Sequence, residues 1–324
     1  MRRVLLTGAK GFVGSHILQQ RLDQGYSGRA VVRSQSKAGC VRLDHPNAGS
    51  RLDVVIVPDI TAPEAFDRTL DSTPPVIDTV IHTAAPYLYG AANTSRTLWI
   101  QTFRVLLNCR GQTIIVVTIS CAVVIDFNPM AGGSARTFTS ADWNPVTWEE
   151  AVTTNDHSGA YCASRRFAEL AAWDFVKPQE PPFDLVVLCP PMVYGPLWHT
   201  INSIEELNED APLPPNGVHV YVDVGDPAHA HILAATNNAV SNERIIVSGE
   251  KLGSQAIADI LRGFFPPLVE QYPVGPPGAS SLSPSGYDMD TTVATDILGL
   301  GTRSVEETPV DLASQLLRIG GFRN

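Results

Sequence analysis

Residues 4–18 read VLLTGAKGFVGSHIL, and this stretch decides the fold. Val4, Leu5 and Leu6 form a short apolar run suited to a buried strand. Gly8, Gly11 and Gly14 then punctuate the turn into a segment whose apolar residues Val13, Ile17, Leu18 and Leu22 have helical spacing. A strand, a glycine loop and a helix in that order make the opening unit of a dinucleotide-binding fold. The glycines allow a tight turn and close approach of backbone to a pyrophosphate, and the helix N-terminus supplies N–H donors and a positive dipole end. Thr7, Gly8, Gly11, Phe12, Val13 and Gly14 are therefore cofactor-binding candidates.

The alternation continues along the chain. RAVVRS, LDVVIVPD, DTVIHTAA, QTIIVVTIS and FDLVVLCPP are further β-branched runs, several of them separated by helix-period segments. This predicts an α/β chain: a Rossmann-type doubly wound parallel sheet with helices on both faces. Beyond Gly195 proline and glycine become dense and the alternation lapses. Residues 1–194 are read as the Rossmann domain, with 195–218 and 248–324 as a smaller C-terminal substrate-binding lobe. One later segment, HVYVDVGDPAHAHILAATNN, reads as a strand and a helix capped by Asp226 with Pro227 in its first turn, which returns 219–247 to the first domain.

Composition narrows the function classes. The 324 residues suffice for a sizeable core, and 44% hydrophobic with 17% charged residues fits a soluble globular protein. A net charge of -10 argues against nucleic acid or anionic membrane as the main partner. Cys40, Cys109, Cys121, Cys162 and Cys189 contain no C-x-x-C pair, so neither a disulfide framework nor a zinc cage is expected, and the reading is a cytoplasmic protein. MRRVLLTGAKG is broken by Gly8 and Lys10 too early for a signal-peptide core, and TIIVVTISCAVVI falls short of the roughly 20 residues of a membrane helix. His229 and His231, two apart on a helix, point nearly opposite ways, so no metal is expected. Cys162 reads as a small buried hydrophobe, His82 as packed at a strand end, and Trp143 and Trp148 as loop anchors.

The second strand selects the cofactor. An NAD site usually ends this strand with an acidic residue for the ribose 2'-hydroxyl, whereas RAVVRSQSK ends in Arg33 with Lys37 one turn on. A guanidinium fork and a point charge suit a 2'-phosphate, so NADP(H) is favoured. At two further strand ends, Asp59 and Ile60 could receive an adenine, while Thr83, Ala84 and Ala85 are small enough to let a nicotinamide ribose approach.

SGAYCASRRFAEL, residues 158–170, carries the chemistry. Tyr161 and Arg165 lie four apart on a helix and so share a face. A cation beside a phenol favours the phenolate, which suits Tyr161 to give a proton to a carbonyl oxygen while NADPH delivers hydride to the carbon. Ser120, at the end of TIIVVTIS, can add a second hydrogen bond polarising that oxygen.

TGAKGFVG, HTAAP, the serine after VVT, Tyr161 with a cation at +4, and PPMVYGP together resemble the extended short-chain dehydrogenase/reductase superfamily. TSADWNPVTWEEA followed by AYCASRRFAELAAWDFV is similar to its dihydroflavonol 4-reductase-like branch, which includes fungal aldehyde and ketone reductases. The resemblance runs from Val4 to about Leu317. It implies NADPH-dependent carbonyl reduction, with Ser120 and Tyr161 catalytic and Pro190 and Val193 lining the nicotinamide pocket. It departs at one position: the family's Y-x-x-x-K is here Y-x-x-x-R, so Arg165 stands where a lysine is expected to hold the nicotinamide ribose and tune the tyrosine. Arginine keeps the charge but is wider, planar and never deprotonated. Gly225 in VDVGD, where relatives have arginine, and Ile119-Ser120, where relatives often have a serine pair, are smaller departures.

The reading is a ketoreductase of secondary metabolism, acting as monomer or homodimer on a small-molecule ketone or aldehyde. His157, Tyr194, Trp198 and His199 are candidate substrate contacts, since they fall where the family builds its cleft. Two alternatives stay open: a redox-neutral isomerase, dehydratase or cyclase marked by the loss of the lysine, and a catalytically silent NADP-binding sensor.

Overall fold

The structure is a computed structural model that describes residues 3–60, 62, 65–66, 69, 77–84, 113–127, 136–154, 156–179, 183–199, 218–271 and 286–319. The N-terminal run forms β1 (Arg3–Thr7) and leads through the glycine loop into α1 (Phe12–Asp23). Then come β2 (Ser27–Val32), α2 (Gln35–Asp44), β3 (Leu52–Ile56), β4 (Ile77–His82) and β5 (Thr113–Thr118). A short strand β6 (Thr137–Phe138) precedes α3 (Trp148–Thr153) and the long α4 (His157–Gln179), which ends one residue past Pro178. The chain continues through β7 (Phe183–Cys189), β8 (Met192–Tyr194), β9 (Tyr221–Asp223), α5 (Gly225–Ala234) and β10 (Arg244–Ile246). Last come α6 (Ser254–Phe264), β11 (Asp288–Met289) and α7 (Glu307–Ile319).

Seven of these strands make one parallel sheet in the order β10-β7-β5-β4-β1-β2-β3. The order reverses direction at β1 and β4, and in such sheets the crevice at that reversal, outside the carboxyl ends of the strands, is where ligands bind. All six long runs read from the sequence as strands are strands of this sheet. β10 adds a seventh from beyond residue 194, so the sheet draws on the 219–247 segment.

The strands bury both faces, as parallel strands must. Val4 and Leu6 of β1, Ala30 and Val32 of β2, Val116 of β5 and Val186 of β7 face one side, where Ile17, Leu18 and Leu22 of α1 and Ile232 of α5 cover them. The alternate residues Leu5, Val31, Val80, Ile115 and Leu185 face the other side, where Ala172, Trp173 and Val176 of α4 pack. The period-2 side-chain alternation of a strand thus splits each apolar run between two layers.

One local expectation is corrected. Asp226 does not cap α5: the N-cap position is Val224, without a side-chain cap bond, and Asp226 sits in the first turn, accepting from Arg303 N–H at 3.0 Å. Asp223 does the capping work by accepting from Gly225 N–H at 2.8 Å. α6 and α7 pack against each other after the sheet is complete. The proline-dense stretches at 211–217 and 272–285, and Ala85, lie outside the described residues.

Candidate active site

The glycine loop is built by steric necessity. Gly8 has φ +71°, and a Cβ there would stand 2.6 Å from Thr83 Oγ1. A Cβ on Gly14 would stand 2.1 Å from Gly8 O, so the loop and the first turn of α1 can close only with a hydrogen there. Gly11 N–H donates to Gly8 O at 2.7 Å and closes the turn. Gly11 is also the N-cap of α1, with no side-chain cap bond and no acidic residue in the first turn. That leaves the positive helix end for a ligand, so the cradle fits an anionic group.

Threonine and histidine fix the neighbouring strand ends. Thr7 Oγ1 accepts from Ala84 N–H at 3.3 Å and is hydrogen-bonded to His82 Nδ1 at 2.8 Å. Thr83 O–H donates to Thr7 O at 2.8 Å. His82 is fully buried, and burial, reinforced by the charge of Arg165, pushes it down to about 4. It is therefore the neutral packed strand-end histidine expected. His231 is also neutral and buried: its Nδ1–H donates to Pro227 O at 2.6 Å and its Nε2 accepts from Thr118 O–H at 2.6 Å.

The glycine loop opens into a cleft of about 1320 Å³. Gly11, Phe12, Val13, Gly14 and Thr83 line one part, and Ser120, Tyr161, Arg165, Pro190, Val193 and Tyr194 line another. Residues from five separate stretches of sequence thus meet in one space. The Arg165 guanidinium carbon lies 4.9 Å from the centroid of the Tyr161 ring, so the two share a helix face as their spacing predicts. Arg165 is only 5% exposed, and its charge acts on the buried His82 at the end of β4. Ser120 lies just beyond β5, where its Oγ accepts from Ala122 N–H at 3.2 Å and keeps a hydrogen to donate. Cys162 and Cys121 are buried thiols beside Tyr161 and Ser120, and burial pushes Cys162 up to about 12.

Other candidates fall outside the cleft lining. Arg33 is exposed at the end of β2 and Lys37 lies in the first turn of α2, whose cap is Ser34. Lys37 is held below the usual lysine range, first by burial and then by the charges of Arg33 and Lys10. These three cations share one field, which an anion would relieve. Asp59 is exposed, and Ile60 packs on the core behind the sheet. His157 is exposed at the start of α4.

Trp198 and His199 are drawn to the glycine-loop side. His16 of α1 donates through Nε2 to Pro196 O at 2.8 Å, and Leu197 exchanges two 2.6 Å bonds with the Gln315 side chain. This pins the segment across α1, with Trp198 edge-on to His16 and His199 in the field of Lys10, Asp44 and Lys37. Only Tyr194 of the four proposed substrate contacts lines the cleft, stacked on Tyr221 at 6.1 Å.

A sequence model of the NAD dependent epimerase/dehydratase family matches residues 4–249, which span the glycine loop, Ser120, Tyr161 and β10. The chain belongs to that family. Among its relatives is the NADPH-dependent methylglyoxal reductase of Saccharomyces cerevisiae, 31% identical over 98% of this chain and 99% of that protein. A ketoreductase of Aspergillus niger is 28% identical over 98% of each. Among solved structures, the yeast methylglyoxal/isovaleraldehyde reductase Gre2 complexed with NADPH matches with a TM-score of 0.85 and 29% identity, covering 99% of this chain and 100% of that one.

Several cleft residues of this family member were not singled out from the sequence. Glu150 of α3 is one, while Lys10, outside the cleft lining, is a cation whose charge reaches Lys37 and which pairs with Asp44 at 3.1 Å. Asn144 is another: its N–H donates to Val123 O at 2.7 Å and its side-chain amide to Ile125 O at 2.7 Å. The Asn-Pro pair in WNPVT marks a turn, which was the available signal, but nothing local says that the turn faces the cleft. Leu252, Ser254 and Ile257 enter the cleft from the start of α6.

Proposed function

We propose that this family member is an NADPH-dependent carbonyl reductase acting on a small aldehyde or ketone. One observation carries the reading: Tyr161, backed at 4.9 Å by the Arg165 cation, opens on the same cleft as Ser120 and the glycine loop. The names of its relatives as NADPH-dependent methylglyoxal reductase and ketoreductase support it. Gly8, Gly11 and Gly14 with the α1 N-terminus would hold the pyrophosphate, and Arg33 with Lys37 the 2'-phosphate. Thr83, Ala84, Pro190 and Val193 would flank the nicotinamide half, and Asp59 with Ile60 the adenine. NADPH supplies a hydride to the carbonyl carbon when bound.

The chain's own residues complete the reaction. Ser120 donates a hydrogen bond to the carbonyl oxygen, and Tyr161 gives that oxygen its proton as negative charge develops. The phenolate left behind faces Arg165, whose fixed charge stabilises it, while a proton from solvent restores the phenol. The late segments, 195–218 and 248–324, form the substrate lobe in this reading, with Tyr194 and the start of α6 as its contacts. A place in secondary metabolism fits such a ketoreductase.

The test follows NADPH consumption with methylglyoxal, isovaleraldehyde and a set of ketones, for wild type, Tyr161→Phe and Arg165→Lys. Wild type turns over at least one carbonyl, and Tyr161→Phe loses about 100-fold or more in kcat. Arg165 favours a second reading, a redox-neutral isomerase or a silent binder, because guanidinium cannot pass on a proton. That reading takes over if wild type consumes no NADPH and Arg165→Lys does.

A further inference from the structure

We infer that Arg244, on the far edge of the sheet and outside the cleft, is a positioning residue that holds one cleft wall against the Tyr161 helix. Tyr161, Arg165, Glu169 and Trp173 follow one another at intervals of four along α4, so they form a single stripe. Trp173 Nε1–H and Arg244 Nε–H both donate to Glu169 Oε1, at 2.9 and 2.6 Å, and Arg244 Nη2–H donates to Glu169 Oε2 at 3.1 Å. Arg244 Nη1–H groups meanwhile reach Ser140 O at 3.0 Å and Asp142 O at 2.6 Å, and the guanidinium lies 3.6 Å above the Trp143 ring. One fork therefore ties the stripe that carries Tyr161 to Ser140, Asp142 and Trp143, just before Asn144.

Asn144, Pro145, Val146 and Thr147 then line the cleft. Their strand of chain is held from the other end by Arg166, whose Nη1–H donates to Val146 O. Glu169 is 0% and Arg244 7% exposed, and a buried ion pair of this kind gains little stability over apolar side chains of similar volume. What the pair adds is direction: a planar fork fixes two carbonyls and a carboxylate at once, which lysine or leucine cannot do. The wall's distance from Tyr161, and with it the fit of the carbonyl substrate, is set by Arg244.

The kinetic arm of the test rests on the reductase reading, and a second arm does not. For Arg244→Lys, KM for the aldehyde or ketone that wild type reduces rises about tenfold while kcat stays within about threefold and NADPH affinity is unchanged, since the lost contacts orient substrate rather than react. Hydrogen exchange at amides 139–147 becomes faster, with Gly8–Gly14 unaffected. Glu169→Gln, which keeps the shape of the acceptor and removes its charge, gives the same pattern if Arg244→Lys does not fold. A folded variant with unchanged KM, or with KM, kcat and NADPH affinity moving together, overturns the inference. If wild type turns over none of the aldehydes and ketones, the reductase reading has failed, and exchange alone decides: unchanged protection at 139–147, or loss at the glycine loop as well, refutes the positioning role.

Discussion

Arg33 stands exposed at the end of β2 within the field that lowers Lys37. A 2'-phosphate there would meet a fork and an ammonium already crowded by like charge, so binding relieves repulsion as well as forming contacts. Arg33→Ala should weaken NADPH by about tenfold or more, the value of one charge-assisted contact, and leave NADH nearly unchanged. Titrating both cofactors by fluorescence checks this, and equal losses for the two would remove Arg33 from the phosphate site. Tyr161 and Arg165 belong to the same scale: spacing alone put them on one face, but only the fold shows the guanidinium buried, with its charge acting on His82 at the end of β4.

At the scale of elements, the contact between the glycine loop and α1 depends on absent atoms. Gly14→Ala would put a Cβ 2.1 Å from Gly8 O and 2.8 Å from its carbonyl carbon, so backbone must move. The expected cost is about 1–3 kcal/mol of stability together with loss of NADPH binding. Gly39→Ala in α2, where a Cβ meets nothing within 4 Å, is the control and should gain about 1 kcal/mol from helix propensity. Thermal melts of the two variants read the contrast, and a tolerated Gly14→Ala would refute the steric account. The strands and this helix were legible because their apolar periods are local. The cap of α5 was misread because Asp226 has the right residue type, yet Arg303 from distant sequence claims its carboxylate.

Across the whole molecule, buried ionisable groups set the pH dependence. His82 and His231 are pushed down to about 4 by burial, so the unfolded chain takes up protons first as pH falls from about 6.5. Their contribution is intact above that value and is lost on the way to pH 4, at up to about 3 kcal/mol each. Asp226, raised to about 6 mainly by burial, acts in the opposite sense. The native state keeps a proton that the unfolded chain releases, so its charging costs stability between about pH 4 and 6 and above. Two histidines outweigh one aspartate, and the urea midpoint should fall as pH drops from 7.5 to 5. Asp226→Asn should raise Tm by a few degrees at pH 7.5, and that gain should shrink below pH 5. A midpoint independent of pH across this range would contradict these assignments.

What the sequence determined by itself was the part that depends on near neighbours. Strand periods, the glycine loop, the cation at the end of β2 and the four-residue spacing of Tyr161 and Arg165 are all relations within about one turn or one strand, where covalent geometry dictates what faces what. Tertiary structure alone decided which distant segments share a space. It brought Asn144 and the start of α6 into the cleft, drew Trp198 and His199 away to α1, and set Arg244 between the Tyr161 helix and the cleft wall. Such contacts join residues 75 to more than 100 positions apart through hydrogen bonds that no local pattern encodes.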